Sequence, residues 1–87
     1  MVQWDTIGYV ISSEYRRKVM ILLSKKPYTP REIANVLNIH LSHTSQILKQ
    51  LTSKNLIVCL NPKVTKGRLY GLTDIGNKVV EKLESLR

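Results

Sequence analysis

The chain of 87 residues is 43% apolar and 23% charged, a composition that is ordinary for one folded domain. Its net charge of +8, from fourteen Lys and Arg against six Asp and Glu, indicates an acidic partner, usually nucleic acid but sometimes an anionic membrane surface. No apolar run approaches the roughly 20 residues that span a bilayer, and the N-terminus lacks the order of a secretory signal, so we expect a soluble, cytoplasmic protein.

The first predicted helix follows the serine pair Ser12 and Ser13, either of which can cap it. Apolar residues then recur at helical spacing until Pro27 ends the helix. The consecutive basic residues 16–18 of this helix point in different directions, so we interpret them mainly as a solvated face. The preceding residues 1–11 carry several apolar side chains, which either pack on the domain or join a partner chain.

The second predicted helix begins with a capping box. Thr29 is its N-cap, Pro30 takes the first helical position, and Glu32 completes the box. Arg31 lies in the first turn, where a short helix of this kind can cross a DNA backbone.

The third predicted helix covers residues 42–54, with Ser42 as its cap and Asn55 as a left-handed residue at its end. One face is apolar and turned inward: Thr44, Ile47, Leu48 and Leu51. The opposite face is polar and turned outward: His43, Ser45, Gln46, Lys49 and Gln50. No acidic residue occurs between Ser42 and Lys54, which distinguishes this face from an ordinary solvated one.

A β-hairpin is predicted next, because the apolar spacing changes to that of strands. Residues 56–60 and 68–72 are rich in β-forming side chains, and the loop 61–67 contains Asn-Pro and Lys-Gly turn signals. We place the hairpin at 57–72 and expect a short strand near 27–29 to pair with its edge.

Thr73 caps the last predicted helix, which covers residues 73–87. The order helix, helix, helix, hairpin, helix predicts a winged helix-turn-helix fold, mainly α with a small β-hairpin wing. We assign the whole of residues 1–87 to this single domain.

The sequence resembles the small winged-helix transcription regulators of the ArsR/MarR-like group, especially the single-domain versions common in archaea. The matching stretches are TPREIANVLNIHLSHTSQILKQLTSKNLI and GRLYGLTDIG. In the second, Tyr70, Leu72, Thr73 and Gly76 match the Y-x-L-T-x-x-G pattern at the exit from the wing. The resemblance implies sequence-specific binding of duplex DNA, usually by a homodimer. The Cys-rich motif of ArsR-like metal sensors is missing, and 87 residues leave little room for the longer dimerisation helices between which MarR-like proteins bind phenolic ligands.

The outward face of the third helix offers the groups that contact DNA in a major groove. Gln46 is the first candidate for a base contact, because Gln pairs with adenine through N6 and N7. His43 and Ser45 follow, and Lys49 is expected on the backbone, where it adds affinity without sequence information. Ser42 caps the helix or binds a phosphate.

The wing supplies a second candidate contact. Lys63, Lys66 and Arg68 lie close together, and Gly67 allows a tight backbone at the tip. Such a loop can lie over phosphates or enter the minor groove, where Arg is favoured. The alternative is an ordinary solvated turn.

Enzymatic and metal-binding functions find little support in the sequence. There is no Gly-rich phosphate loop, nucleophile elbow or catalytic carboxylate pair, so we expect no enzyme and no cofactor. His40 and His43 lack the further ligands that zinc needs, and the single cysteine, Cys59, has apolar neighbours typical of a buried residue.

The sequence therefore predicts a regulator that binds double-stranded DNA, with the N-terminal segment and C-terminal helix forming a homodimer interface and no membrane partner. Two other functions stay open: a winged-helix module that binds proteins, and a chromatin protein that binds DNA without sequence preference.

Overall fold

The computed structural model describes residues 4–86. In chain order its elements are α1 (Trp4–Ile11), α2 (Glu14–Leu23), α3 (Pro30–Leu37), α4 (Leu41–Ser53), β1 (Ile57–Cys59), β2 (Tyr70–Leu72) and α5 (Asp74–Ser85). The predicted architecture is confirmed, and one helix is added to the predicted four. Within this described part, no helix is long and apolar enough to cross a membrane. Residues 1–3 and Arg87, at the ends of the predicted segments, lie outside it.

The additional helix is α1, in the segment that the sequence identified only as apolar. Its Ile7 and Val10 are fully buried, and the helix packs against α2 and α5. A helix of 8 residues is marginal by itself and depends on such packing. The segment therefore packs on its own domain, although Trp4 keeps 64% of its surface exposed.

The predicted caps of α2 and α3 are confirmed. The Ser13 hydroxyl accepts a hydrogen bond from the backbone N–H of Arg16. In α3, the Thr29 hydroxyl accepts from the N–H of Glu32 at 3.2 Å, and the Glu32 carboxylate accepts from the N–H of Thr29 at 2.9 Å. Hydrogen bonding to Thr29, chiefly to its backbone N–H, holds the pKa of the Glu32 carboxyl below its ordinary value.

The predicted cap of α4 is wrong. The N-cap is His40, so Ser42 lies inside the first helical turn. The turn that follows α3 closes at Asn38, whose φ is 56°, and the N–H of Ile39 bonds to the carbonyl of Ala34. Ile39 then packs against the core, and α4 has its N-cap at His40, two residues before Ser42.

The inward face of α4 is as predicted. Its residues Thr44, Ile47, Leu48 and Leu51 are all buried. Ile47, Leu48 and Leu51 join one core cluster with residues from every other helix and the hairpin, among them Val10, Met20, Ile33, Ile57 and Val79. The Thr44 hydroxyl satisfies its hydrogen bond inside this core by donating to the carbonyl of His40 at 3.1 Å.

The wing is anchored at both ends of its base. Ile57 lies opposite Leu72 in the antiparallel hairpin. The predicted third strand is a single bridge, in which Tyr28 and Tyr70 exchange backbone hydrogen bonds of 3.2 and 2.9 Å. This bridge holds the start of α3 against the wing.

The junction between the wing and α5 depends on Thr73 and Gly76. The Thr73 hydroxyl donates toward the carbonyls of Asn55 and Leu56 and accepts from the N–H of Gly76 at 3.0 Å. A Cβ on Gly76 would overlap the carbonyl oxygen of Leu56. Asn55 itself has a φ of 60°, which confirms the predicted left-handed position after α4.

Candidate nucleic-acid interface

The exposed face of α4 is the centre of the candidate interface. Successive residues of an α-helix are rotated by about 100°, so Ser42, Gln46 and Lys49 lie near the middle of the arc opposite the core. All three are exposed. The face presents hydroxyl, amide and ammonium groups without any carboxylate, as the sequence predicted.

One edge of this face lies against α2. The His43 ring meets the Tyr15 ring edge-on, with 5.3 Å between the ring centroids. The Gln50 side-chain oxygen accepts a hydrogen bond of 3.2 Å from Nε of Arg16. His43 stays exposed, whereas Gln50 is half-buried. Two of the predicted contact residues are thus already held by the protein.

The other edge of α4 lies along an open cleft of about 450 Å³. Ser45 and Lys49 line it together with Pro30 of α3 and Tyr70 of the hairpin. The Tyr28–Tyr70 bridge positions these two elements. This edge places an ammonium group between the helix and the wing.

A second cleft, of about 510 Å³, brings together three predicted cations from distant parts of the sequence. Arg31 from the first turn of α3 lines it with Lys66 and Arg68 of the wing. Arg68 is half-buried, and its Nε is buried without a hydrogen-bond partner in the described part of the chain. A cleft of this charge fits an anion such as a backbone phosphate. Lys63 is exposed on the same loop but does not line the cleft.

The wing loop is shaped by a residue that the sequence showed only as a turn signal. The Asn61 side-chain oxygen accepts from the backbone N–H of Leu69 at 2.7 Å, and its amide nitrogen donates to the carbonyl of Gly67 at 3.2 Å. Gly67 has a φ of 69°, the left-handed conformation that glycine tolerates best. Asn61 therefore fixes the path of the loop that carries Lys66.

The largest departure from prediction is Arg16, which was interpreted as part of a solvated face. It is half-buried and donates hydrogen bonds to Gln50, to the carbonyl of Tyr9 and to the hydroxyl of Ser12. The sequence around Arg16 gives no signal of the bond to Gln50, because Gln50 lies 34 residues away on α4.

Metal ligands are not gathered anywhere in residues 4–86. No three His, Cys, Asp or Glu side chains there lie close enough to hold an ion. His40 is the N-cap of α4 and His43 packs against Tyr15.

Solved structures share the succession of helices and hairpin described above. The adhesin competence repressor AdcR of Streptococcus pyogenes matches with a TM-score of 0.77 and 16% identity, over 85% of this chain and 56% of that one. MarR of Escherichia coli matches with a TM-score of 0.78 and 26% identity, over 92% and 64%. Lactococcus lactis ZitR, solved in complex with DNA, matches with 0.73 and 22%, over 82% and 49%.

These matches cover roughly half to two thirds of the neighbours' own length. Neither a protein-family model nor a curated protein sequence matches the chain. What the matches share is the succession of helices and hairpin described above. The chain therefore has the fold of winged-helix regulators such as MarR and AdcR.

Proposed function

We propose that the protein is a transcription regulator that binds duplex DNA sequence-specifically, with α4 in the major groove and the wing on the adjacent backbone. The observation that carries the proposal is the acid-free face of α4 beside a cleft where Arg31, Lys66 and Arg68 converge. The likeness to ZitR, which was solved bound to DNA, supports the same function.

Base contacts are proposed for the middle and edges of the α4 face. Gln46 is exposed, and its side chain makes no hydrogen bond to other residues between 4 and 86. Its amide is therefore free to donate and accept at once, as a bidentate contact to adenine requires. Ser45 and His43 are placed on either side of it, within reach of neighbouring base pairs.

Phosphate contacts are proposed for Ser42, Lys49 and the cations of the wing. The hydroxyl of Ser42 lies in the first turn of α4, where backbone N–H groups point outward and favour an anion. Lys49, Lys63, Lys66 and Arg68, with Arg31, give five cations per chain and ten per dimer. Contacts of this kind position the protein without distinguishing sequences.

The proposed dimer uses α1 and α5. These helices pack together, yet Trp4 remains 64% and Leu86 53% exposed. Lys82, one turn before Leu86, lies 5.4 Å from the Trp4 ring, so both apolar groups border the same surface. A double substitution of Trp4 and Leu86 by Ser should make the protein monomeric in light scattering. Val36→Ser is the matched control, since Val36 is 58% exposed on α3.

The experiment that tests the function is fluorescence anisotropy with a pool of random duplexes across a salt series, followed by selection of bound sequences. A dimer with six to ten phosphate contacts should lose roughly 10³–10⁵ in affinity between about 50 and 200 mM salt. Selection should enrich a two-fold symmetric site.

Two results would contradict the proposal in different ways. A steep salt dependence without an enriched sequence would identify a protein that binds DNA for its charge alone. Failure to bind at low salt would mean that the polar face of α4 is an ordinary surface, and that the fold serves protein partners.

A further inference from the structure

Two glutamines lie one turn apart on α4, and they differ in burial and in hydrogen bonding. Gln46 is exposed, whereas Gln50 is half-buried and bonded to Arg16. Both belong to the polar face that is proposed to enter the major groove. The difference is in which hydrogen-bonding atoms each amide still offers to a base.

Arg16 is fixed in place by several contacts. One guanidinium nitrogen donates to the carbonyl of Tyr9 at 2.9 Å and to the hydroxyl of Ser12 at 3.2 Å. The guanidinium also lies 4.0 Å from the centre of the Tyr9 ring, which it meets as a cation over an aromatic face. Its Nε is then directed at Gln50, with a bond of 3.2 Å.

This bond determines the orientation of the Gln50 amide. A guanidinium carries only donors, so the group that faces it must be the side-chain oxygen. The amide is planar, and its nitrogen and oxygen point in different directions from the same carbon, so the nitrogen does not face Arg16. That nitrogen makes no hydrogen bond to any other part of the chain between residues 4 and 86. Gln50 therefore has both N–H donors unused, while its oxygen faces Arg16 and already accepts one hydrogen bond.

We propose that Arg16 sets the base preference of Gln50 by holding its amide with the oxygen inward and the nitrogen outward. The inference rests on the proposed function, because it assigns one base-pair position of the site that α4 contacts. In the major groove guanine offers two acceptors, O6 and N7, and thymine offers one, O4. Adenine offers the acceptor N7 beside the donor N6, and cytosine offers only the donor N4. An amide that presents its donors therefore favours the two keto bases, meets adenine through N7 alone, and disfavours cytosine.

Gln46 provides the internal contrast. Its amide is unrestrained and can form the bidentate pair with adenine, in which N6 donates to the oxygen and N7 accepts from the nitrogen. The same residue type on one helix thus selects adenine at one position and a keto base at the other. Arg16 itself contacts no base and acts as a positioning residue.

The test is selection from random duplexes with five proteins: the natural chain and the variants Gln50→Ala, Gln50→Glu, Arg16→Met and Arg16→Lys. Gln50→Ala identifies the position that Gln50 contacts, as the one whose preference is lost. At that position the natural chain should select guanine or thymine. Arg16→Met removes the donors and lets the amide turn, so the preference for guanine or thymine over cytosine should fall roughly tenfold.

Arg16→Lys is the conservative variant. An ammonium group also carries donors only, so the keto preference should be retained. Gln50→Glu should reverse the base preference at this position, because a carboxylate only accepts hydrogen bonds and should favour cytosine or adenine. The adenine position of Gln46 should be unchanged by Arg16→Met, which separates loss of orientation from a general disturbance of α4. Melting temperatures of all variants establish that each is folded.

Several results would overturn the inference. These are an amino base at the Gln50 position of the natural chain, an unaltered keto preference in folded Arg16→Met, or no position that responds to Gln50→Ala. If Arg16→Met does not fold, Arg16→Gln decides in its place, because an amide at position 16 can also accept from the Gln50 nitrogen and should lower the keto preference. A natural chain that binds no duplex overturns the proposed function instead, and that outcome is visible before any variant is made.

Discussion

The two edges of the α4 face differ in how much of their chemistry the fold already uses. Toward α2, His43 packs against Tyr15 and Gln50 is bonded to Arg16. Toward the wing, Lys49 borders an open cleft, and the neighbouring cleft is lined by further cations. In the described part of the chain the single ion pair, Lys18–Glu14, lies on α2, outside both clefts.

This difference suggests that the two edges make different kinds of contact, one with bases and one with phosphates. Side chains that are already held lose little conformational freedom when they contact a base, so they suit sequence selection. Cations that line open clefts suit phosphates, whose contribution to affinity does not depend on sequence. The predictions below separate these two contributions, from the largest expected effect to the smallest.

Gly76→Ala should have the largest effect, because it disturbs the junction between the wing and α5. The added Cβ would overlap the backbone carbonyl of Leu56, which cannot move as a side chain can. We expect a loss of about 1–3 kcal/mol in the free energy of unfolding, or more. Urea denaturation measures it.

Gly8→Ala is the matched control for that change. Gly8 lies inside α1, and a Cβ there meets nothing within 4 Å. Alanine in a helix interior should stabilise the protein by about 0.5–1 kcal/mol. Equal effects at both glycines would contradict the packing described for the wing junction.

Gln46→Ala should remove sequence information from the middle of the α4 face. We expect a loss of about 1–3 kcal/mol in discrimination at one base-pair position, with little change in binding to random duplexes. Competition between the selected site and its single-base variants measures the effect. If every variant keeps its rank, Gln46 does not contact a base.

Lys66→Ala should act on affinity alone. All duplexes should be weakened alike, and the slope of log affinity against log salt should fall by about 0.9 for each phosphate that the variant no longer neutralises. Lys78→Ala on α5 removes the same charge outside both clefts. The wing contact would be excluded by equal slopes for the two variants.

The smallest effect is expected from the capping box that begins α3. Because the pKa of Glu32 is lowered in the folded state, its contribution is present above the unfolded pKa and is lost as the pH falls through the folded value. The natural chain should therefore lose more stability than Glu32→Gln below about pH 4.3, the usual pKa of Glu. Urea midpoints at neutral and acid pH measure the difference.

Glu81→Gln on α5 is the control for the capping-box prediction, since it alters the same charge away from a helix start. The change in midpoint between neutral and acid pH should differ from that of the natural chain by more for Glu32→Gln than for Glu81→Gln, since Glu32 belongs to a capping box. If Glu32→Gln follows the natural chain at acid pH, the lowered pKa has no measurable consequence for stability.

Local signals account for what the sequence predicted correctly. The box formed by Thr29, Pro30 and Glu32, the cap at Thr73 and the turn at Asn55 each depend on residues within one turn of each other. The apolar stripe of α4 was predictable for the same reason, since its spacing directly encodes one helix face.

What the sequence did not predict depends on tertiary packing. The α1 helix is stabilised by the burial of Ile7 and Val10 against the rest of the domain. The cleft shared by Arg31 and Arg68 lies between the start of α3 and the wing, which are far apart in sequence and are joined by the Tyr28–Tyr70 bridge. The spacing of residues along a sequence does not predict contacts between distant segments. The bond between Arg16 and Gln50 is therefore not predictable from the sequence alone.

The measurement that tests the central claim most directly is backbone amide mapping by nuclear magnetic resonance during titration with the selected duplex. The account predicts shifts concentrated in residues 41–54, in the wing 61–69 and at the start of α3. Amides on the exposed side of α5 should change only through dimer contacts. Shifts confined to α1 and α5, with α4 and the wing unmoved, would contradict the assignment of the polar face and the cationic clefts to DNA.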